Sequence, residues 1–162
     1  MTMLIFFITA LVIVAIIYLA IHRMLINRAT LIVRNRAAET TNLAVNAVLS
    51  ELVNRQLSLR SETVADVWGR GVMAFEYVLE GQVLSDARAK QLSAVELNSL
   101  LAEYAKRQQT PHIDGATETF RVTDWWEYEH RLHIDVAYLM NEATREYVDD
   151  LKKVAKSQGE KL

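Results

Sequence analysis

The stretch Asp124-Trp125-Trp126-Glu127-Tyr128-Glu129-His130-Arg131-Leu132-His133-Ile134-Asp135-Val136-Ala137-Tyr138-Leu139-Met140 decides the fold class, because it is long and carries no Gly or Pro. With Asp124 and Glu127 as its capping residues, it reads as a helix. That reading aligns Trp125, Leu132, Val136, Leu139, Met140, Ala143, Tyr147 and Val154 as one stripe running to about Ser157.

Working toward the N-terminus, Val64, Val67, Trp68, Gly71, Val72, Phe75, Val78 and Leu79 fall within about 140° of arc at helical spacing. Gly69 and Gly71 would cost such a helix about 1 kcal/mol each relative to Ala, and Gly81 reads as its stop. Ser85-Asp86 is placed to open a short turn of helix. Ser93-Ala94-Val95-Glu96 fits a capping box, followed by Leu97, Leu100, Leu101 and Tyr104 at i, i+3, i+4, i+7. Pro111 disfavours helix at Thr110, so this helix is predicted to end near Gln108. Upstream, Val45, Val48, Leu49, Leu52 and Val53 form another stripe, extending to about Leu59. The fold predicted is all-α: a single N-terminal transmembrane helix followed by a small antiparallel bundle of about four helices.

The transmembrane expectation rests on Met1 to Ile21, which contains no Asp, Glu, Lys, Arg or His. Leu4 to Ile21 spans about 27 Å at 1.5 Å per residue, close to the hydrocarbon thickness of a bilayer. Nothing basic precedes the run, and Ile21-His22-Arg23-Met24 is a poor cleavage site, so it reads as an uncleaved anchor. Arg23, Arg28, Arg34 and Arg36 flank it on the C-terminal side, and no acid precedes Glu39. The positive-inside rule then places the N-terminus outside and the C-terminal domain in the cytoplasm. The expected domains are a transmembrane anchor at 1–22, a basic juxtamembrane helical extension at 23–38, a soluble helical domain at 39–157 and a flexible tail at 158–162. Contact with the bilayer is assigned to residues 3–21.

Composition narrows the function. The chain has 162 residues, no Cys, and a net charge of −2 from 18 Lys+Arg and 20 Asp+Glu. Absence of Cys excludes disulfides and thiolate metal sites. All 20 acids lie after residue 38, and the excess of acid there disfavours nucleic-acid binding. No Gly-rich phosphate loop, nucleophile elbow, His-Glu-x-x-His or EF-hand loop occurs.

Several residues remain as candidates. Glu127 and His130 form one Glu-x-x-His pair, where a di-iron bundle needs two copies. Glu129 and His133, four apart, would be neighbours on a helix and form an acid–base pair, a metal half-site or a pH-sensitive latch. His112 in His112-Ile113-Asp114 echoes His133-Ile134-Asp135; His112, His130 and His133 are the histidines available to converge on a metal, with no diagnostic spacing, and Glu129, His133 and His112 are the candidate ligands. Trp125 and Trp126 are candidate partner contacts, since side chains about 100° apart on a helix do not enter one core. No catalytic constellation is complete, and no cofactor is implied. The expectation is a non-enzymatic, membrane-anchored interaction, scaffold or accessory subunit with a protein partner or a second copy. A small metal- or His-dependent enzyme or pH sensor at Glu129/His133 is the alternative.

Overall fold

A computed structural model describes residues 2–64, 71–80 and 92–158. Its elements run α1 (Thr2–Leu52), β1 (Glu62–Thr63), β2 (Ala74–Leu79), α2 (Ala94–Gln108), β3 (Phe120–Tyr128), β4 (Arg131–Tyr138) and α3 (Glu142–Gln158). The four strands form one antiparallel sheet in the order β1-β2-β4-β3. The protein is therefore α+β, and the expected all-α helical bundle is wrong. Val67, Trp68, Gly69, Gly81 and the Ser85-Asp86 turn fall outside the described residues, as does the tail from 159 onward.

The chain divides into two compact units, Met1–Asn35 and Arg36–Leu162. In the first, the described side chains from Thr2 to Ile26 are all exposed. This segment lies in the one helix among the described residues that is long and apolar enough to cross a membrane.

In the second unit, the remainder of α1 presents Ala37, Thr41, Ala44, Val45, Val48 and Leu49, all buried, at helical spacing. The helix stops at Leu52, with Asn54 in the left-handed region at φ 48°. The chain then folds back along the helix. Asn46 donates to the Leu59 carbonyl at 2.9 Å and accepts from the Leu59 N–H at 2.6 Å, so this return segment is not the helix expected to Leu59. The capping box is present: Ser93 Oγ accepts from the Glu96 N–H at 3.2 Å, and α2 ends at Gln108.

The misread segments are strands for definable reasons. In β2, Phe75, Tyr77 and Leu79 enter one core while Ala74, Glu76 and Val78 take the opposite face, which is a period of two. Both faces are largely covered, so apolar residues recur at positions that also satisfy a helical count. Gly71 has φ 104° at the approach to β2, a conformation that suits glycine and would break a helix.

Residues 124–140 lie mostly in a hairpin. Glu129 and His130, at φ 49° and 61°, form its two-residue turn, the positive-φ pair that matches strand twist. A bulge at Thr123 then shifts the pairing from Val122↔Val136 to Asp124↔Asp135. The bulge interrupts the alternation of β3, which hides its period. The last helix starts only at Glu142, capped by Asn141, whose Oδ1 accepts from the Thr144 N–H at 2.9 Å.

One sheet face packs Phe75, Tyr77, Leu79, Phe120, Val122, Ile134 and Val136 against α1 and α2. Toward one end of the other face lies a smaller cluster of Val72, Ala74, Ala137, Leu139 and Val148, with Ala143 and Tyr147 of α3 packed against it. A polar tie fixes α3 there. Thr144 Oγ1 accepts from the Met73 N–H at 2.9 Å, and Asn141 donates to the Gly71 carbonyl at 2.7 Å.

Candidate functional site

Register builds a chemically distinct patch on the face that carries α3. Directly paired residues of an antiparallel sheet share a face. Glu62 pairs with Glu76, Glu76 with Asp135, and Asp135 with Asp124. One row across all four strands is therefore carboxylate throughout. In the next row Val78 pairs with His133, and His133 with Trp126.

The cluster is internally organised. His133 Nδ1 lies 2.6 Å from Glu76 Oε1, and both side chains are largely buried. At that distance Nδ1–H donates to the carboxylate, and Nε2 is the ring nitrogen that this contact leaves over. The Trp126 ring stacks on the imidazole at 4.9 Å between centroids and 17° between planes, and Tyr128 meets it edge-on at 6.5 Å. Asp135 is 5% exposed. Its Oδ1 and His133 Nε2 are sealed from solvent without a hydrogen-bond partner among the described residues.

The charge state follows from this packing. Burial pushes the Asp135 carboxyl up to about 7, the charges of Glu76 and Asp124 add to the rise, and His133 opposes it. Burial likewise raises the Tyr147 hydroxyl, against a hydrogen bond to Thr123 that lowers it. A carboxyl that titrates near neutrality beside a Glu–His pair can take up and release a proton in the physiological range. Because its unpartnered atoms are sealed, the arrangement suits a proton better than a bulky substrate.

The residues singled out from sequence are dispersed. Glu129 and His130 are exposed turn residues, and Glu129 is not the neighbour of His133 that a helix would make it. The carboxylate partner of His133 is Glu76, 57 positions away. His112 lies in the loop before β3, with Nδ1 3.4 Å from Thr119 Oγ1. Glu127 is exposed on β3, opposite Leu132. Among the described residues no group of three or more His, Asp or Glu is arranged to hold a metal ion. Trp125 packs against the main core while Trp126 covers His133, because neighbours on a strand point to opposite faces. Arg23, Arg28 and Arg36 are exposed along α1, and Arg34 is half-buried.

A second feature is a groove of about 220 Å³ lined by Val48, Glu51 and Leu52 of α1 and Leu100, Glu103 and Arg107 of α2. Its Arg107–Glu51 pair, at 3.5 Å, is well exposed and contributes little.

Glu76, Asp135 and Asp124 were missed from sequence as a site. Their one local signal is His133-Ile134-Asp135, which places His133 and Asp135 on one face only once the segment is read as a strand. Comparison with protein-family models, with curated proteins and with solved structures finds no match to this chain.

Proposed function

We propose that this protein is a single-pass, membrane-anchored module with its N-terminus outside and its α+β domain in the cytoplasm. It acts there as a non-enzymatic interaction, scaffold or accessory subunit of a membrane complex. One observation carries the reading: an apolar helical segment whose described side chains are all exposed from Thr2 to Ile26, on a chain whose second unit closes its own core. So much exposed apolar surface on one helix requires an apolar surrounding. The four arginines that follow it support the orientation.

Reporter fusions after Leu162 test the topology. Green fluorescent protein is expected to fluoresce there and alkaline phosphatase to be inactive; the reverse would refute the orientation. Crosslinking and mild-detergent purification test the assembly. The expected product is a defined complex with another protein or a second copy, and a strictly monomeric protein with no crosslinked neighbour would count against it.

The carboxylate row and the Glu76–His133 pair favour a second reading, a pH sensor at the membrane. The residues that carry it are Glu76, His133 and Asp135, with Glu129 playing no part. Asp135→Asn is expected to remove any pH dependence of partner binding between pH 6 and pH 8 while leaving binding at pH 6 intact. A pH profile unchanged in this variant would remove the sensor reading and leave the scaffold reading in place.

A further inference from the structure

Exposed apolar side chains along α1 do not end with the span. They continue from Met3 through Met24, Leu25 and Ile26 to Leu31, Ile32 and Val33, all at least 41% exposed. Thirty-one residues rise about 46 Å, whereas the hydrocarbon core is about 30 Å thick. The stretch from His22 onward therefore emerges through the headgroup layer. Tyr18 and His22 stack at 5.8 Å there, and a Tyr at this depth suits the interface.

Arg23 and Arg28 are exposed within this emerging stretch. They are five residues apart, about 7.5 Å along the axis, which is comparable with the depth of one headgroup layer. No Asp or Glu occurs anywhere in residues 1–35, so neither guanidinium has a carboxylate within its own unit. A guanidinium pairs with phosphate and carboxylate through two parallel N–H donors, and its aliphatic stem lies comfortably against apolar surface.

We propose that Arg23 and Arg28 form a collar selective for anionic phospholipid headgroups, which gathers such lipids around the anchor. The collar rests on the membrane-anchor reading. Arg34 adds positive charge further along the same helix and strengthens the attraction at a distance.

The test uses the full chain reconstituted in mixed phosphatidylcholine and phosphatidylserine vesicles. Because the chain lacks Cys, single labels are straightforward. A fluorophore on Val12→Cys reports the anchor through quenching by lipids brominated on their acyl chains. A donor on Leu25→Cys reports the collar through energy transfer to trace acceptor-labelled phosphatidylserine or phosphatidylcholine. Transfer to phosphatidylserine is expected to exceed that to phosphatidylcholine about twofold. Parity is expected in Arg23→Gln/Arg28→Gln, and also at about 1 M salt, where screening reaches within about 3 Å. Equal transfer to both lipids with Val12→Cys still quenched overturns the collar and spares the anchor. A preference that survives the double substitution also overturns it. An unquenched Val12→Cys removes anchor and collar together.

Discussion

The two faces of the sheet come from the same strands and follow opposite rules. Toward α1 and α2, Phe75, Tyr77, Ile134 and Val136 are essentially fully buried and contribute through area removed from water. On the opposite face, the residues alternating with them are Glu76, His133 and Asp135. Burial there opposes charge, and two sealed polar atoms lack partners among the described residues. One face stabilises the domain at any pH, and the other makes its stability conditional. Two of the inward positions on that face, Glu76 and Asp135, hold carboxylates where apolar side chains would stabilise the sheet without regard to pH.

The sharpest way to break this contrast is to damage the apolar face. Phe75→Ala is expected to cost about 3–5 kcal/mol in denaturant unfolding of the detergent-solubilised chain, with little change in that cost between pH 5 and pH 8. A strongly pH-dependent cost would mean that the two faces are not independent.

Asp135→Asn probes the other face. The folded-state carboxyl titrates at about 7 against an ordinary value of 3.8, so the folded form binds the proton more tightly. The associated stability is fully present below about pH 3.8 and is lost as pH rises through about 7. The wild-type chain is therefore expected to lose on the order of 2–4 kcal/mol between pH 4 and pH 8. Asp135→Asn is expected to flatten that slope and to be the more stable form at pH 8. A wild-type melting temperature that rises across this range would contradict the assignment.

Two smaller effects refine the picture. Asn141→Ala removes both the cap of α3 and the bond to the Gly71 carbonyl, and is expected to cost about 1–2 kcal/mol. Proteolysis near α3 should accelerate accordingly. Glu129→Asn/His130→Gly fits the positive-φ turn better and is expected to stabilise by about 0.5–1 kcal/mol, seen as a raised melting temperature at pH 5 and pH 8 alike.

Legibility followed locality. The Ser93–Glu96 capping box and Pro111 state the two ends of α2 within twenty residues, and the Val45–Val53 stripe states the buried face of α1. The sheet had no comparable local statement. Phe75, Val78 and Leu79 satisfy a helical count by coincidence. The bulge at Thr123 breaks the alternation of β3, and Glu129-His130 makes a turn usually built from Asn and Gly. The carboxylate row exists only through register, since Glu62, Glu76, Asp124 and Asp135 come from four strands. The separation of Trp125 and Trp126 onto different surroundings was expected, although a strand and not a helix produces it.

The strand order has a consequence for synthesis. β3 and β4 are joined by two residues and can pair as soon as both have left the ribosome. β2 has to wait, because its larger partner is β4: Phe75 pairs with Val136 and Tyr77 with Ile134, about 60 residues later in the chain. At 5–20 residues per second that interval is roughly 3–12 s. Throughout it the nascent chain carries an apolar strand with an open edge, behind a helix long and apolar enough to cross a membrane. The time of greatest exposure to aggregation thus falls between emergence of Leu79 and emergence of Tyr138, and a holding chaperone would act on that interval.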